Sequence, residues 1–182
     1  MRLLKNGKEF GLTSILYAYQ ENPVGGIADA LNLAKSFVGK EKFCVVLGDN
    51  LILDDLSVHF NQFLNESMGT AKVFIKEIEN PKSFGVAEIS QGKVTRIIEK
   101  PQNPATNLAV IGVYLYDYTV FDLIQNVKPS RRGELEITDV NQAYIDKDAL
   151  TYSKLDSEWL DTGNFASLYE ANCIIAQKKH NK

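Results

Sequence analysis

The spacing of hydrophobic residues divides the chain into an alternating first part and a strand-rich middle. Residues 14–20, rich in β-branched and aromatic side chains, predict a strand, and the continuous apolar run at 42–47 predicts another. Apolar positions three and four apart predict helices over 27–38 and 56–64. This alternation indicates βαβ units and a parallel sheet, and the unbroken run at 42–47 is typical of a strand buried on both faces.

The second part of the chain has shorter apolar segments. It predicts strands at 71–77, 85–89 and 93–99, with Gln91-Gly92 as a tight hairpin between the last two. No internal repeat or linker interrupts the pattern, so residues 1–182 are predicted to form a single α/β domain with a Rossmann-like mixed, mainly parallel sheet flanked by helices. The remaining predicted elements are a strand at 108–116, helices at 118–125 and 135–144, a strand at 150–154, and a helix at 165–177.

Composition limits the classes of function. The chain has 182 residues, 45% of them hydrophobic, which is typical of a soluble globular domain with a sizeable core. Its formal net charge of -3 argues against a nucleic-acid partner. No apolar run is long enough to span a membrane and the start has no signal-peptide pattern, so a cytoplasmic location is expected. Cys44 and Cys173 lack zinc-site spacing, and both are expected to be small buried hydrophobes.

Two acidic residues are candidates for a metal site. Asp49 follows the apolar run 42–47 after a glycine, and ligands in open α/β sheets sit beyond the carboxyl ends of strands. Asp161 lies in the stretch WLDTG, just before the predicted last helix. Each also has an ordinary interpretation: Asp49 as a turn residue and Asp161 as a helix cap.

Three further stretches could bind a ligand. The loop QENPVGG at 20–26 opens a helix, which favours backbone amides facing a ligand but equally suits a plain turn. Glu99 and Lys100 end a strand before a proline and could hold sugar hydroxyls and a phosphate, or form an exposed ion pair. Arg132 begins a charged stretch that leads into a predicted helix. The favourable interaction of acidic residues with the helix dipole would explain most of this stretch.

The order of these motifs is more informative than any one of them. Q-x-x-P-x-G-G-I-A, V-V-L-G-D-N, F-G-V, I-I-E-K-P, G-V-Y-L-Y-D, R-G-E-L-E-I-T-D-V-N and W-L-D-T-G follow one another along nearly the whole chain. This succession resembles the sugar-1-phosphate nucleotidyltransferases, and within them the glucose-1-phosphate thymidylyltransferases. The resemblance implies transfer of a nucleotidyl group from a nucleoside triphosphate, here dTTP, to a sugar 1-phosphate. It also implies Mg²⁺ as cofactor, a role in nucleotide-sugar and polysaccharide biosynthesis, and a tendency to form homo-oligomers.

The resemblance also implies roles for individual residues. Asp49 and Asp161 would hold the metal, and Lys100 would bind the sugar phosphate. Gln20 would read the base, with Gly26 and Gly25 bringing backbone close to it. The sugar would be bordered by Gly85, bound by Glu99, and enclosed by Val110 and Tyr114, while Arg132 would face the phosphate side.

One family motif is missing from this sequence. The family opens with a strand and the glycine-rich loop G-G-x-G-T-R-L-x-P, which wraps the triphosphate, and no such motif occurs here. The chain therefore looks like a member without its first βα portion, about sixty residues by the length of one to two such units. An unpaired strand edge, exposed apolar surface and loss of productive triphosphate binding are expected.

Two alternative functions stay open and a third is disfavoured. A non-catalytic subunit that binds sugar nucleotide would keep the same contacts, and uridylyl or guanylyl transferases share the architecture. A generic dinucleotide-binding protein is disfavoured, because no G-x-G-x-x-G motif follows a strand.

Overall fold

A six-stranded sheet forms the centre of the molecule, seen in a computed structural model that describes residues 3–180, with side chains through residue 177. Its longest strand, β6, pairs with β1, β3 and β4, and the order along the main path is β5-β4-β6-β3-β7. A separate two-stranded sheet joins β2 to β8. The strands are β1 Lys42–Val46, β2 Asn50–Ile52, β3 Ala71–Glu77, β4 Gly85–Ser90, β5 Lys93–Glu99, β6 Leu108–Asp117, β7 Leu150–Lys154 and β8 Trp159–Asp161.

The α/β class is confirmed, but the prediction of a mainly parallel sheet is wrong for the described strands. Among them, only β3 and β7 run parallel, and the other pairings are antiparallel. The reason lies in the connections. The two-residue turn Gln91-Gly92, with φ of 51° and 76°, can join only antiparallel neighbours, so β4 and β5 form a hairpin that pairs with β6.

Six helices of the described chain flank these strands. The single helix predicted over 27–38 is divided into two, because Leu33 and Ala34 donate to carbonyls three residues back, which tightens the backbone there. The other predicted helices are present with shifted ends. The helices are α1 Gly26–Asn32, α2 Lys35–Val38, α3 Ser57–Leu64, α4 Val120–Ile124, α5 Ile137–Ile145 and α6 Phe165–His180.

The central sheet is covered on both faces by apolar side chains. Successive residues of a strand point to opposite faces, so Tyr114 and Tyr116 of β6 pack with α4 and α5, while Val113 and Leu115 belong to a second cluster with Phe63 of α3. Such two-sided packing makes the β3–β6 region the most buried part of the described structure, with Val73, Phe74, Ile75, Ile111 and Val113 all fully inaccessible.

The strand predicted at 14–20 is not formed. No backbone pairing joins this segment to a strand of the described chain, and Leu16 and Tyr19 are 65% and 83% exposed. β-Branched and aromatic residues favour a strand only where a neighbouring strand completes the hydrogen-bond ladder, and none of the described strands lies beside 14–20.

The prediction of full burial also fails for β1 and for both cysteines. β1 pairs with β6 alone, and Val46 is 57% exposed. Cys44 and Cys173 are both exposed, because neither is enclosed by a second layer of described chain. The outer side of β1 forms an open apolar groove with α1 and α2, lined by Ile27, Ala30, Leu31, Ala34, Phe37, Val38 and residues 43–47.

Candidate active site

An open cleft with a cavity volume of about 230 Å³ lies where β2, β5, β6, β8 and the start of α5 meet. Eight of the eleven predicted site residues line it, although they come from opposite ends of the sequence. Gln20, Gly25 and Gly26 are not among the lining residues, but Ile27, next in the chain, is. The eight are Asp49, Gly85, Glu99, Lys100, Val110, Tyr114, Arg132 and Asp161.

The small sheet brings the two predicted metal carboxylates together. Asn50 pairs with Asp161 across β2 and β8, and the Thr162 amide donates to the Asp49 carbonyl at 2.7 Å. A Cβ added to Gly163 would lie 3.0 Å from Asp161 Oδ1 and 3.3 Å from Asp49 Oδ2. The two carboxylates therefore approach a common point, beside a residue that has no side chain to separate them.

Asp161 is not the cap of the last helix. Its Oδ1 accepts a hydrogen bond from the Gly163 amide at 2.8 Å, which closes a turn before α6 begins. The residue that caps α6 is Asn164, whose Oδ1 accepts from the Ser167 amide at 3.0 Å. The interpretation of Asp161 as a helix cap is therefore excluded.

Glu99 and Lys100 line the same cleft at the end of β5. Thr138 Oγ1 donates to Glu99 Oε2 at 2.5 Å, which sets the orientation of this carboxylate. Lys100 has φ of 43°, a left-handed conformation that turns the chain as the strand ends, and its amide donates to the Phe84 carbonyl at 3.0 Å. Lys100 Nζ lies 3.9 Å from Glu99 Oε1 and stays half exposed, so the pair is a loose one.

Arg132 is held by carboxylates rather than left free. Its guanidinium donates to both oxygens of Glu136, at 2.8 and 3.0 Å, and also approaches Glu134 at 3.2 Å and Glu99 at 3.6 Å. Partial desolvation opposes the charged form, but the Glu136 hydrogen bond and the surrounding carboxylates raise the pKa of Arg132 above its ordinary value. The arginine is therefore charged and its side chain is aimed by Glu136, which is itself buried.

Acidic groups outnumber basic groups in the cleft. Such a lining repels a phosphate ligand unless a cation compensates for the negative charge. Two converging carboxylates with open space beside them match the hard oxygen donors that Mg²⁺ prefers. The acidic lining residues are Asp49, Glu99, Glu134, Glu136 and Asp161, and the basic ones are Lys100 and Arg132.

The loop 20–26 is fastened beside the cleft. Gln20 Nε2 donates to the Gly26 carbonyl at 3.1 Å and to Asp29 Oδ2 at 2.8 Å, so its amide hydrogens are engaged within the loop. The Leu135 amide donates to the Gly25 carbonyl at 2.9 Å. Gly26 has φ of 82°, and a Cβ there would lie 2.6 Å from the Leu135 carbonyl, so this close approach requires glycine.

Sequence reasoning missed several polar or aromatic residues that line the cleft. Asn50 and Trp159 neighbour the metal candidates, and Thr138 and Asn141 belong to the motif that starts α5. Asn141 is 1% exposed and its Oδ1 accepts from the Tyr116 hydroxyl at 2.6 Å. The signal was present in the letters after G-D and within I-T-D-V-N, but only the folded sheet shows that these positions face the cleft.

Comparisons with known proteins identify the family of this chain. The family model described as nucleotidyl transferase matches residues 1–178, so the chain belongs to the nucleotidyl transferase family. The chain is 40% identical over 180 residues to a glucose-1-phosphate thymidylyltransferase of Neisseria meningitidis, which covers 96% of this chain and 61% of that protein. It is 41% identical over 179 residues to the low-salt glycan biosynthesis nucleotidyltransferase Agl11 of Haloferax volcanii. That match covers 97% of this chain and 49% of Agl11.

The chain thus spans between about half and three fifths of the length of these two relatives. A crystal structure of a protein described as a glucose-1-phosphate thymidylyltransferase from Bacillus anthracis, in complex with sucrose, superposes with a TM-score of 0.88 at 43% identity. The superposition covers 95% of this chain and 69% of the Bacillus anthracis chain. A UDP-glucose pyrophosphorylase complexed with UDP-glucose shares the fold, with a TM-score of 0.75 at 22% identity. The fold implied by the resemblance to sugar-1-phosphate nucleotidyltransferases, the nucleotide-diphospho-sugar transferase type, is confirmed.

None of the helices among the described residues is both long enough and apolar enough to cross a membrane.

Proposed function

We propose that this chain carries the metal and sugar-phosphate sites of a glucose-1-phosphate thymidylyltransferase. The reaction is nucleotidyl transfer from dTTP to glucose 1-phosphate, giving dTDP-glucose and pyrophosphate. One observation supports the proposal above the others: the converging carboxylates of Asp49 and Asp161 line the same cleft as Glu99, Lys100 and Arg132. That arrangement suits a ligand with phosphates at one end and a sugar at the other.

The chemistry asks the protein for positioning and charge neutralisation. An oxygen of the sugar phosphate attacks the α-phosphorus and pyrophosphate leaves, so no covalent catalyst is needed. Mg²⁺, held by Asp49 and Asp161, would neutralise phosphate charge when bound. Lys100 would bind the sugar phosphate, and Arg132, aimed by Glu136, would add positive charge on the same side.

The sugar would lie between β4, β5 and β6. Glu99 would accept from sugar hydroxyls with its carboxylate oriented by Thr138, while Val110 and Tyr114 form the floor. Gly85 has no side chain to occupy this part of the cleft. A Cβ added there would lie in van der Waals contact with Thr138 Oγ1, at 3.4 Å. The base would be read by Gln20 beside Gly25 and Gly26, once a pyrimidine replaces the internal partners of the Gln20 amide.

We further propose that the chain by itself binds ligands better than it turns them over. The sequence contains no G-G-x-G-T-R motif for the triphosphate, whereas the described cleft contains the proposed metal, sugar and sugar-phosphate residues. A non-catalytic subunit that binds sugar nucleotide would use the same residues of the described cleft and is the second candidate function. The choice of dTTP over UTP or GTP, a cytoplasmic location and homo-oligomer formation remain predictions.

Calorimetric titration with dTDP-glucose in the presence of Mg²⁺ tests the proposal. We expect saturable binding, and we expect Asp49→Asn to weaken it about tenfold or more, because a metal carboxylate is lost. Asp122→Asn, on the short helix α4 and outside the cleft lining, is the matched control and should bind normally. Absence of sugar-nucleotide binding by the folded wild-type chain would contradict the proposal. Pyrophosphate release at ordinary enzyme rates would contradict only the inactivity of the isolated chain.

A further inference from the structure

Asn50 connects three parts of the site through one side-chain amide. Its Oδ1 accepts from the Gly112 amide of β6 at 3.0 Å and from Trp159 Nε1 of β8 at 2.6 Å. Its Nδ2 donates to Asp49 Oδ1 at 2.8 Å. The backbone of Asn50 pairs with Asp161 across the small sheet. One residue is thus bonded to Asp49 and paired with Asp161.

These contacts set the direction of the amide. Two N–H donors meet Asn50 Oδ1, and neither the Gly112 amide nor the Trp159 indole can accept a hydrogen bond. The NH₂ group must therefore turn away from them, toward Asp49. Asp49 Oδ1 receives that hydrogen bond, while Asp49 Oδ2 is the oxygen that lies near Gly163 and the Asp161 carboxylate.

The close fit between Asn50 and β6 leaves no room for a side chain at position 112. A Cβ added to Gly112 would lie 2.6 Å from Asn50 Nδ2 and 2.9 Å from Asn50 Oδ1. Both neighbours of Gly112 in β6, Ile111 and Val113, are fully buried, so the backbone that holds Asn50 belongs to the rigid centre of the sheet.

We propose that Asn50 is a positioning residue that orients the Asp49 carboxylate for a divalent cation. The inference rests on the proposed function, in which Asp49 and Asp161 hold the metal. Partners that orient a ligating carboxylate typically contribute ten- to a hundredfold to metal affinity, about the effect expected here. Trp159 and Gly112 act behind Asn50 by fixing which side of its amide faces Asp49.

Mn²⁺ titration followed by electron paramagnetic resonance tests this without an activity assay. We expect Asn50→Ala to weaken Mn²⁺ binding about tenfold, and Trp159→Phe, which removes only one donor to Asn50, about threefold. Metal-free binding of glucose 1-phosphate, measured on the same variants, shows whether a loss of affinity is confined to the cation. Asn107→Ala, which removes an exposed side-chain hydrogen bond to Glu77, is the matched control.

The outcomes separate this inference from the proposed function. Mn²⁺ that binds wild type and a folded Asn50→Ala variant equally well overturns the role of Asn50 and leaves the metal site standing. Should Asn50→Ala fail to fold, unchanged Mn²⁺ affinity in Trp159→Phe overturns it instead. Loss of glucose 1-phosphate affinity without loss of Mn²⁺ affinity assigns Asn50 to the sugar and also overturns the inference. No Mn²⁺ binding by wild type overturns both proposals.

Discussion

The strands β1 and β6 have similarly apolar sequences and opposite environments. β6 is buried at every position from Ala109 to Asp117, whereas β1 is exposed at Cys44 and Val46. The difference lies in their neighbours: β6 pairs with three strands and is covered on both faces, while β1 pairs with β6 alone. The apolar sequence makes both segments strands, but the neighbouring parts of the chain decide whether a strand is buried.

Hydrogen exchange should show the largest difference between the two regions. Amides of β3 and β6 open only with global unfolding, and a stability of at least about 5 kcal/mol corresponds to protection of about 10⁴-fold or more. Amides of residues 14–20 form no pairing with the described strands and should exchange near the unprotected rate. Mass-spectrometric exchange on peptides from both regions measures the ratio. Comparable protection would mean that 14–20 is paired in solution.

Matched phenylalanine deletions sharpen the comparison. Phe74 of β3 is fully buried, with ring contacts to His59 and Phe60 at centroid distances of 5.5 and 6.3 Å. Phe74→Ala should lower the free energy of unfolding by about 3–5 kcal/mol. Phe37 borders the apolar groove and is 49% exposed, so Phe37→Ala should cost less than about 1 kcal/mol. Urea denaturation measures both, and equal losses would show that the groove is closed in solution.

The smallest expected effect concerns the chemical reactivity of Cys44. It is exposed, yet its sulfur lies among the apolar residues of the groove, and desolvation raises the pKa of its thiol to about 11. Because the thiolate is the reactive form, alkylation by iodoacetamide at pH 8 should be about a hundredfold slower than that of a free cysteine. The rate should rise about tenfold per pH unit until the pH approaches that pKa.

A Cys173→Ala background isolates Cys44 in this experiment, and the same protein in urea provides the unshielded reference rate. Equal rates in the folded and unfolded chain would show that the groove does not desolvate the thiol.

The sequence predicted the fold best where local and long-range preferences agree. The hairpin around Gln91-Gly92 and the strands β3, β5 and β7 match the predicted ranges, because turn chemistry and apolar pattern point to the same structure. Residues 14–20 have strand propensity but no pairing, and the antiparallel sheet follows from connections that periodicity does not reveal. Local pattern specifies an element, whereas strand direction and burial depend on residues far away in sequence.

The site was predictable as a set of residues but not as a geometry. The order of motifs indicated Asp49, Glu99, Lys100 and Asp161, and the fold places all four in one cleft. It could not indicate that Arg132 would be bound by Glu136, or that Asn50 would be bonded to Asp49, because those contacts depend on side-chain orientation.

The pairing of β2 with β8 also has a consequence for synthesis. Asn50 and Trp159 are 109 positions apart in the chain, so the small sheet is among the most non-local contacts of the molecule. Contacts of such high sequence separation form late in folding, since a long loop must close first. On the ribosome, β3 to β6 can assemble before β8 has been translated. The Asp49 and Asp161 carboxylates then meet only after translation has passed β8, so shorter nascent chains lack this pair of neighbouring carboxylates.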